Sequence, residues 1–213
     1  MKALYTILIL MTVISCKKDQ IQYNITGTVK NEITNSKISQ VKLQFYQTEL
    51  NANVLNPNFV FLGTTTTNSN GEYSFSFDRK KIDKFKITVE HDEYYPIEDL
   101  FSSSELSSEN ENNFSYELES LSWVKIRLKN NFVQMNKSLN FHKYNVQECE
   151  ECCVNGNLAI PYTIPDTTFI CPVIGDVYFR YTYGVVIGNS ATSSSTDSVL
   201  CIPFDTTSIF IQY

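Results

Sequence analysis

The stretch Thr64–Phe77, TTTTNSNGEYSFSF, is the most informative part of the chain for its fold. It begins with four threonines, whose branched Cβ favours extended backbone. The segment 68–71, NSNG, follows, and Asn and Gly tolerate the positive φ of tight turns. Tyr73, Phe75 and Phe77 then alternate with polar residues, the period of a strand with one buried face. We therefore predict a β-hairpin over this stretch.

The same two-residue period recurs along the chain. It is present in IQYNITGTVK (21–30) and KFKITVE (84–90), and it is strongest in DVYFRYTYGVVI (176–187). The chain has 13 Tyr and 14 Phe but only 7 Gly, and no pattern predicts a helix longer than a turn or two. This composition favours β-structure. The polar stretch GNSATSSST (188–196) is predicted to be a loop.

The spacing of these strands predicts an all-β fold. We expect two tandem antiparallel β-sandwich domains, Greek-key and transthyretin- or Ig-like, at residues 21–120 and 121–213. Each is large enough to bury a core of its own.

The first residues, MKALYTILILMTVISC, indicate export. Lys2 precedes an apolar run, Ala3–Ile14, that is too short to cross the ~30 Å of a bilayer core as a helix. The run fits a signal peptide, residues 1–15. Its end, VISC (13–16), resembles the lipobox of bacterial lipoproteins. The resemblance implies that Cys16 is lipidated and that residues 16–20 form a tether. The alternative is a buried apolar element with a chance cysteine.

The residues after Cys16 bear on location. The start CKKD (16–19), followed by an Asn-, Ser- and Thr-rich body, resembles lipoproteins of the Bacteroidetes type. By analogy with bacterial lipoproteins, Lys17 rather than Asp after the lipidated Cys implies a location in the outer membrane, and the periplasmic and the cell-surface face both stay open.

Three stretches of the first unit carry a second resemblance. ITGTVKNEITNSKISQVKLQFYQ (25–47), TTTTNSNGEYSFSF (64–77) and KITVEHDEYYPIE (86–98) are similar to carboxypeptidase regulatory-like domains of the transthyretin-like kind. The resemblance covers about 100 residues. It implies a seven-stranded Greek-key sandwich that serves as an accessory domain and carries no catalytic residues of its own.

The cysteines beyond Cys16 all lie in the second unit. An oxidising envelope favours disulfides. We expect two of the three clustered cysteines, Cys149, Cys152 and Cys153, to form disulfides with Cys171 and Cys201, which leaves one free thiol. Zinc binding by the cluster with His142 is an alternative, and a redox thiol is another, although the neighbouring glutamates raise thiol pKa values. The candidate cysteines are Cys149, Cys152, Cys153, Cys171 and Cys201.

The sequence contains one further candidate metal site and three candidate glycosylation sites. The segment HDEYYPIED (91–99) places His91 near four carboxylates, which reads as a solvated turn or as a weak calcium or zinc site. Thr167, Ser198 and Thr206 each follow an Asp in a pattern that resembles Bacteroidetes O-glycosylation. Asp-Ser and Asp-Thr pairs also open turns through side-chain hydrogen bonds, so both interpretations stay open.

Exposed aromatic residues provide a candidate glycan platform, because flat rings stack on sugar faces. The alternative is that these rings are ordinary core and cross-strand residues. The candidates are Tyr46, Trp123, Tyr94 and Tyr95.

Charge and motifs limit the function. The net charge of −6 argues against nucleic acid as a partner. The sequence contains neither a G-x-S-x-G serine nor a Gly-rich phosphate loop. We therefore predict no enzyme and no cofactor, but a lipid-anchored interaction or structural module at the outer membrane whose partner is an envelope protein or a glycan. A glycan-binding accessory lipoprotein is the alternative, and a metal-binding protein using the Cys149, Cys152 and Cys153 cluster is less favoured.

Overall fold

The structure is a computed structural model that describes residues 21–51, 54–80, 83–132, 134–144 and 156–213. Within this part of the chain no helix has the length and apolar character needed to cross a bilayer. The described residues form fifteen strands and one 3₁₀ turn, Ser103–Glu105. The strands are β1 Gln22–Asn31, β2 Lys42–Asn51, β3 Val54–Thr66, β4 Glu72–Asp78, β5 Lys84–Glu90, β6 Ile97–Ser102, β7 Asn112–Asn113, β8 Tyr116–Leu118, β9 Leu121–Lys129, β10 Lys137–Tyr144, β11 Gly156–Pro161, β12 Asp166–Ile174, β13 Tyr178–Ile187, β14 Ser190–Leu200 and β15 Thr206–Gln212.

The first sandwich packs two sheets face to face. One sheet has the order β3-β2-β5-β6, and the other has the order β4-β1-β7, with β8 also paired to β1. Alternation along each strand sends apolar residues inward, so that Ile25, Leu43, Phe45 and Ile87 are fully buried. The short strands β7 and β8 run parallel to β1, whereas β1–β4 and the pairs of the other sheet are antiparallel.

The predicted hairpin at Thr64–Phe77 is wrong. β3 pairs with β2 and β4 pairs with β1, so the intervening turn carries the chain from one sheet to the other. The buried Thr67 fixes this corner: its hydroxyl accepts from the Val41 amide at 2.9 Å and donates to the Ile38 carbonyl at 2.8 Å. Gly71 has φ 71°, and a Cβ there would lie 2.5 Å from the Val29 carbonyl oxygen. These turn residues are therefore required for a corner between the two sheets and not for a hairpin.

The second sandwich has unequal sheets. A four-stranded sheet of order β11-β10-β13-β14 faces a three-stranded sheet of order β12-β9-β15. Its core includes Val124, Ile126, Leu139 and Phe141. β15 runs parallel to β9, and the other described pairs of this sandwich are antiparallel. The fold is thus all-β, with two tandem sandwiches whose sheets are mostly antiparallel.

The predicted loop at 188–196 is also wrong. Residues from Ser190 onward form β14, which pairs antiparallel with β13 after a two-residue turn, Gly188-Asn189. Residues 190–198 are all exposed, so this strand has no apolar inward face in the sequence. It forms because the backbone ladder to β13 needs no particular side chain, and Ser and Thr are small enough to lie on either face.

A connector of three residues, Glu119–Leu121, whose last residue is also the first of β9, joins the two sandwiches. Its Leu121 amide donates to the Glu93 carbonyl, and its Glu119 carbonyl accepts from the Tyr95 amide. On the other side Ser120 and Leu121 accept from Gly175 and Phe204. The connector is therefore hydrogen-bonded to both units. The domain bounds of the sequence analysis stay a prediction.

Candidate functional site

A groove of about 550 Å³ opens at one end of the second sandwich. This end is opposite the connector along the direction of the strands. Strand directions define this end: β9 starts beside the connector at Leu121 and ends at Lys129, while β10 starts here at Lys137, opposite Ile187. We call it the distal groove. Besides residues 192–195 of β14, its lining includes Phe132, Gln134, Lys137, Tyr183, Val185 and Tyr213.

The groove exists because the two sheets differ in width. The sheet that ends in β14 has four strands and the facing sheet has three, so β14 overhangs. In the register of this sheet Ser195 is opposite Tyr183 and Ser193 is opposite Val185. Tyr183 and Val185 are consequently only half-buried, and their apolar surface forms one wall of the groove beside the hydroxyls of β14.

Lys137 supplies the positive charge of the distal groove. Its side chain is almost fully buried, with 7% of the residue exposed. The ammonium donates to Asn130 Oδ1 at 3.1 Å and to the Phe132 carbonyl at 3.3 Å, and it lies 5.2 Å from the centre of the Tyr213 ring. Among the described residues no carboxylate forms an ion pair with it. Because an ammonium has three N–H donors, one remains for a ligand.

Two buried polar atoms near Lys137, the Tyr213 hydroxyl and Asn130 Nδ2, have no hydrogen-bond partner among the described residues. The backbone holds Tyr213 in place, since its amide donates to the Lys129 carbonyl and its main-chain oxygen accepts from the Asn131 amide. Burial raises the pKa of Tyr213, so its hydroxyl stays protonated and can donate. Buried polar atoms without a partner cost stability.

Apolar side chains lie at the same end of the sandwich. Phe132 is 77% exposed and Met135 is 73% exposed, the two highest values among the exposed large apolar residues described. The described residues that line the groove include neither a carboxylate side chain nor a His or Cys. The arrangement is therefore suited to binding, with one cation, several hydroxyls and amides, and aromatic walls.

Four of the predicted cysteines, Cys16, Cys149, Cys152 and Cys153, lie outside the described residues. Cys171 lies on β12, half-buried against the second core. Cys201 is a free thiol, 1% exposed. This differs from the expected bridge to Cys201, and the reason is packing, because the side chain is a member of the second core. The other pairings stay a prediction.

The reactivity of Cys201 should follow from its burial. Burial raises the pKa of this thiol by more than a hydrogen bond with the Phe179 backbone lowers it, so the reactive thiolate is disfavoured. We expect iodoacetamide at pH 8 to leave Cys201 unmodified in the folded protein and to alkylate it in denaturant. Peptide mass mapping would show this. Rapid labelling of Cys201 in the folded protein would contradict its placement in the core.

The proposed metal residues do not assemble within the described part of the chain, where no group of three or more His, Cys, Asp and Glu side chains could hold an ion. His142 lies on β10 with its ring 4.8 Å from that of Tyr144, and its cysteine partners lie outside the described residues. In the turn at 91–99, His91 Nδ1 accepts from the Glu93 amide. Asp99 accepts from the Tyr116 hydroxyl, while Glu98 pairs with Lys86. These carboxylates thus serve separate contacts.

The three candidate glycosylation residues differ in accessibility. Ser198 on β14 and Thr206 at the start of β15 are exposed, whereas Thr167 on β12 is half-buried. The Asp197 and Asp205 carboxylates accept from the amides of the residues that follow them, at 2.7 and 2.6 Å. Asp166 instead receives two hydrogen bonds from Arg127. Ser198 and Thr206 could therefore be modified without unfolding.

The predicted aromatic platform is divided among three places. Tyr46 lies on the outer face of the first sandwich, between Phe61 on β3 and Lys86 on β5. Lys86 covers its ring at 5.1 Å. Trp123 lies on β9. Tyr94 packs its ring 5.3 Å from that of Phe204 beside the connector, and the Tyr95 amide binds the connector itself. These residues do not form one surface.

Sequence reasoning missed the residues of the distal groove. One signal for them was available: in KSLNFHKY (137–144), Lys137 alternates in phase with the buried Leu139 and Phe141. A lysine on the apolar face of a strand is unusual unless it has partners. Its partners Asn130 and Tyr213 lie in other parts of the chain and give no local signal.

No protein-family model matches the chain, and no curated protein matches it either. Solved structures similar to it include the Bacillus anthracis TIE protein (12% identity, TM-score 0.37, 90% of this chain and 34% of that one). The Streptococcal ancillary pilin is another (7% identity, TM-score 0.36, 91% and 63%). A third is the shaft pilin SpaA from Lactobacillus rhamnosus GG (8% identity, TM-score 0.37, 90% and 97%). The chain thus spans about a third of the first and under two thirds of the second. We draw no function from likenesses of this level.

Proposed function

We propose that this protein is a lipid-anchored, non-enzymatic interaction module of the cell envelope, held at the outer membrane through Cys16. The observation that carries the proposal is that the start of the first sandwich and the distal groove lie at opposite ends of the two sandwiches. β1 begins at Gln22, opposite Asp78, and ends at Asn31, opposite Leu118 beside the connector. Ile21 therefore lies at the end of the first sandwich that is remote from the second one.

The distal groove lies at the remote end of the second sandwich. An anchor at residue 16 would consequently hold the first sandwich near the lipid and leave the groove at the far end of the chain's two units. The connector supports this arrangement, since hydrogen bonds join it to both sandwiches, and the rings of Tyr94 and Phe204 pack across the junction. A binding surface presented away from a membrane is what an interaction module requires.

A glycan-binding accessory lipoprotein is the second candidate. The distal groove favours it, because hydroxyl and amide groups beside aromatic walls match the polar edges and apolar faces of sugar rings. We further propose that the first sandwich is a carboxypeptidase regulatory-like domain. If β7 and β8 are taken as one interrupted strand along β1, this sandwich has the seven strands that the resemblance implies.

Partitioning in detergent tests the anchor. Several acyl chains, at ~0.8 kcal/mol per buried methylene, hold a protein in a hydrophobic phase far better than one chain. We expect natively expressed protein to enter the detergent-rich phase of Triton X-114 and the Cys16→Ser variant, if it is still exported, to remain in the aqueous phase. As a control, Cys201→Ser should partition like the parent. Equal partitioning of the parent and Cys16→Ser would remove the anchor from the proposal.

A further inference from the structure

We propose that the distal groove binds a sugar residue that carries a carboxylate, such as a uronic acid within an acidic glycan. The inference rests on the proposed function as an interaction module and names the chemistry of its ligand.

The charge of the groove selects the carboxylate. Lys137 is buried, its two hydrogen-bond acceptors are neutral, and no described carboxylate pairs with it. A buried ammonium without a counter-ion is costly, and an anionic ligand that is itself well hydrogen-bonded would offset part of that cost. With one N–H donor left, Lys137 suits a singly charged group. Doubly charged phosphate favours several cations or the bidentate fork of arginine.

The remaining polar groups select a ligand rich in hydroxyls. Residues 192–195 of the overhanging β14 line the groove, and among them the Thr192 hydroxyl already donates to the Val185 carbonyl at 3.1 Å. Ser193 and Ser195 lie on the face shared with Val185 and Tyr183. Gln134 and Gln212 add side-chain amides to the lining. Sugar hydroxyls both donate and accept, so they can satisfy such a mixed set.

Aromatic and apolar surface completes the match. Tyr183, Tyr213 and Phe132 line the groove, and ring faces pack well on the C–H faces of a pyranose. An acidic peptide would satisfy Lys137 equally, but its amide backbone makes poor use of a row of hydroxyls beside ring faces. The groove's volume lies within the usual range for small-ligand sites.

Calorimetry on the purified full chain in detergent tests the proposal. The probes are trigalacturonate, a glucuronan trimer and sialyllactose, together with the methyl ester of each and hexaglutamate. We expect at least one acidic sugar to bind about 10–100-fold more tightly than its ester, the range for a hydrogen bond to a charged group. Because the protein is already purified, failure here leaves the anchoring of Cys16 to be judged separately.

Two variants place the binding in the groove. Lys137→Gln should weaken the acidic sugar about 10–100-fold, while Lys125→Gln, an exposed lysine on the outer face of β9, should leave it unchanged. If Lys137→Gln fails to fold, Ser195→Ala decides: it removes an exposed hydroxyl opposite Tyr183 on the groove face, so it should retain stability yet bind about five-fold more weakly. Absence of binding, equal binding of acid and ester, hexaglutamate binding as tightly as the sugars, or unchanged binding by the folded variants would overturn the proposal.

Discussion

Replacing Phe45 by Ala is expected to cost the first sandwich about 3–5 kcal/mol of unfolding free energy. Phe45 is fully buried on β2, and its ring stacks on that of Phe75 with 4.1 Å between centroids. It also packs on Tyr73 and Phe85 at 6.4 and 6.3 Å. Removing the ring takes apolar area out of contact and leaves a cavity that rigid strands on both sides cannot close.

Thermal unfolding followed by circular dichroism measures the effect of Phe45→Ala. The melting temperature should fall by more than about 10 °C, since 1 kcal/mol shifts a domain of this size by roughly 4–8 °C. Phe61→Ala is the matched control: this residue lies on the neighbouring strand with 53% of its surface exposed, and its loss should cost below about 1 kcal/mol. Equal shifts for the two variants would mean that the facing sheets do not meet at Phe45.

Gly27→Ala is expected to destabilise the protein by about 3 kcal/mol, at the upper end of overpacking effects. The chain segment between β7 and β8 runs beside β1 at this point. A Cβ on residue 27 would overlap the Phe114 carbonyl oxygen and lie 2.8 Å from the Tyr73 ring. Neither can move freely, because the Tyr73 hydroxyl donates to that same carbonyl at 2.6 Å and the Phe114 amide donates to Thr26.

The effect of Gly27→Ala is measured by urea unfolding followed by far-UV circular dichroism. Ser74→Ala serves as its control, since Ser74 is an exposed residue on the partner strand, opposite Thr26, and its loss should change stability by less than about 0.5 kcal/mol. A Gly27→Ala protein as stable as the parent would show that the segment between β7 and β8 does not approach β1 this closely.

The strands were readable from the sequence because period-two alternation is local. Tyr23, Ile25 and Val29 on β1, and Phe85, Ile87 and Val89 on β5, are buried as their alternation predicts. Their partners were harder to read. The turn at residues 68–71 has the same chemistry whether it closes a hairpin or crosses between sheets. What decides is Thr67, whose hydroxyl binds Val41 and Ile38, and these contacts are distant in sequence.

β14 was missed for a different reason. Its residues carry no apolar alternation, so the sequence offered only the loop-like composition of Ser and Thr. Pairing with β13 uses backbone hydrogen bonds and therefore produces no pattern of side chains in the sequence. The distal groove depends on this strand, and on the meeting of Lys137 with Tyr213 and Asn130. Only the inward position of Lys137 could have been noticed from the sequence alone.

The central claim is that the chain is fixed in a membrane by acylation of Cys16. Metabolic labelling of expressing cells with an alkyne fatty acid, followed by mass analysis of the N-terminal peptide, tests it most directly. The account predicts a labelled peptide that begins at residue 16 and loses its label in Cys16→Ser. An unlabelled protein that retains residues 1–15 would contradict it.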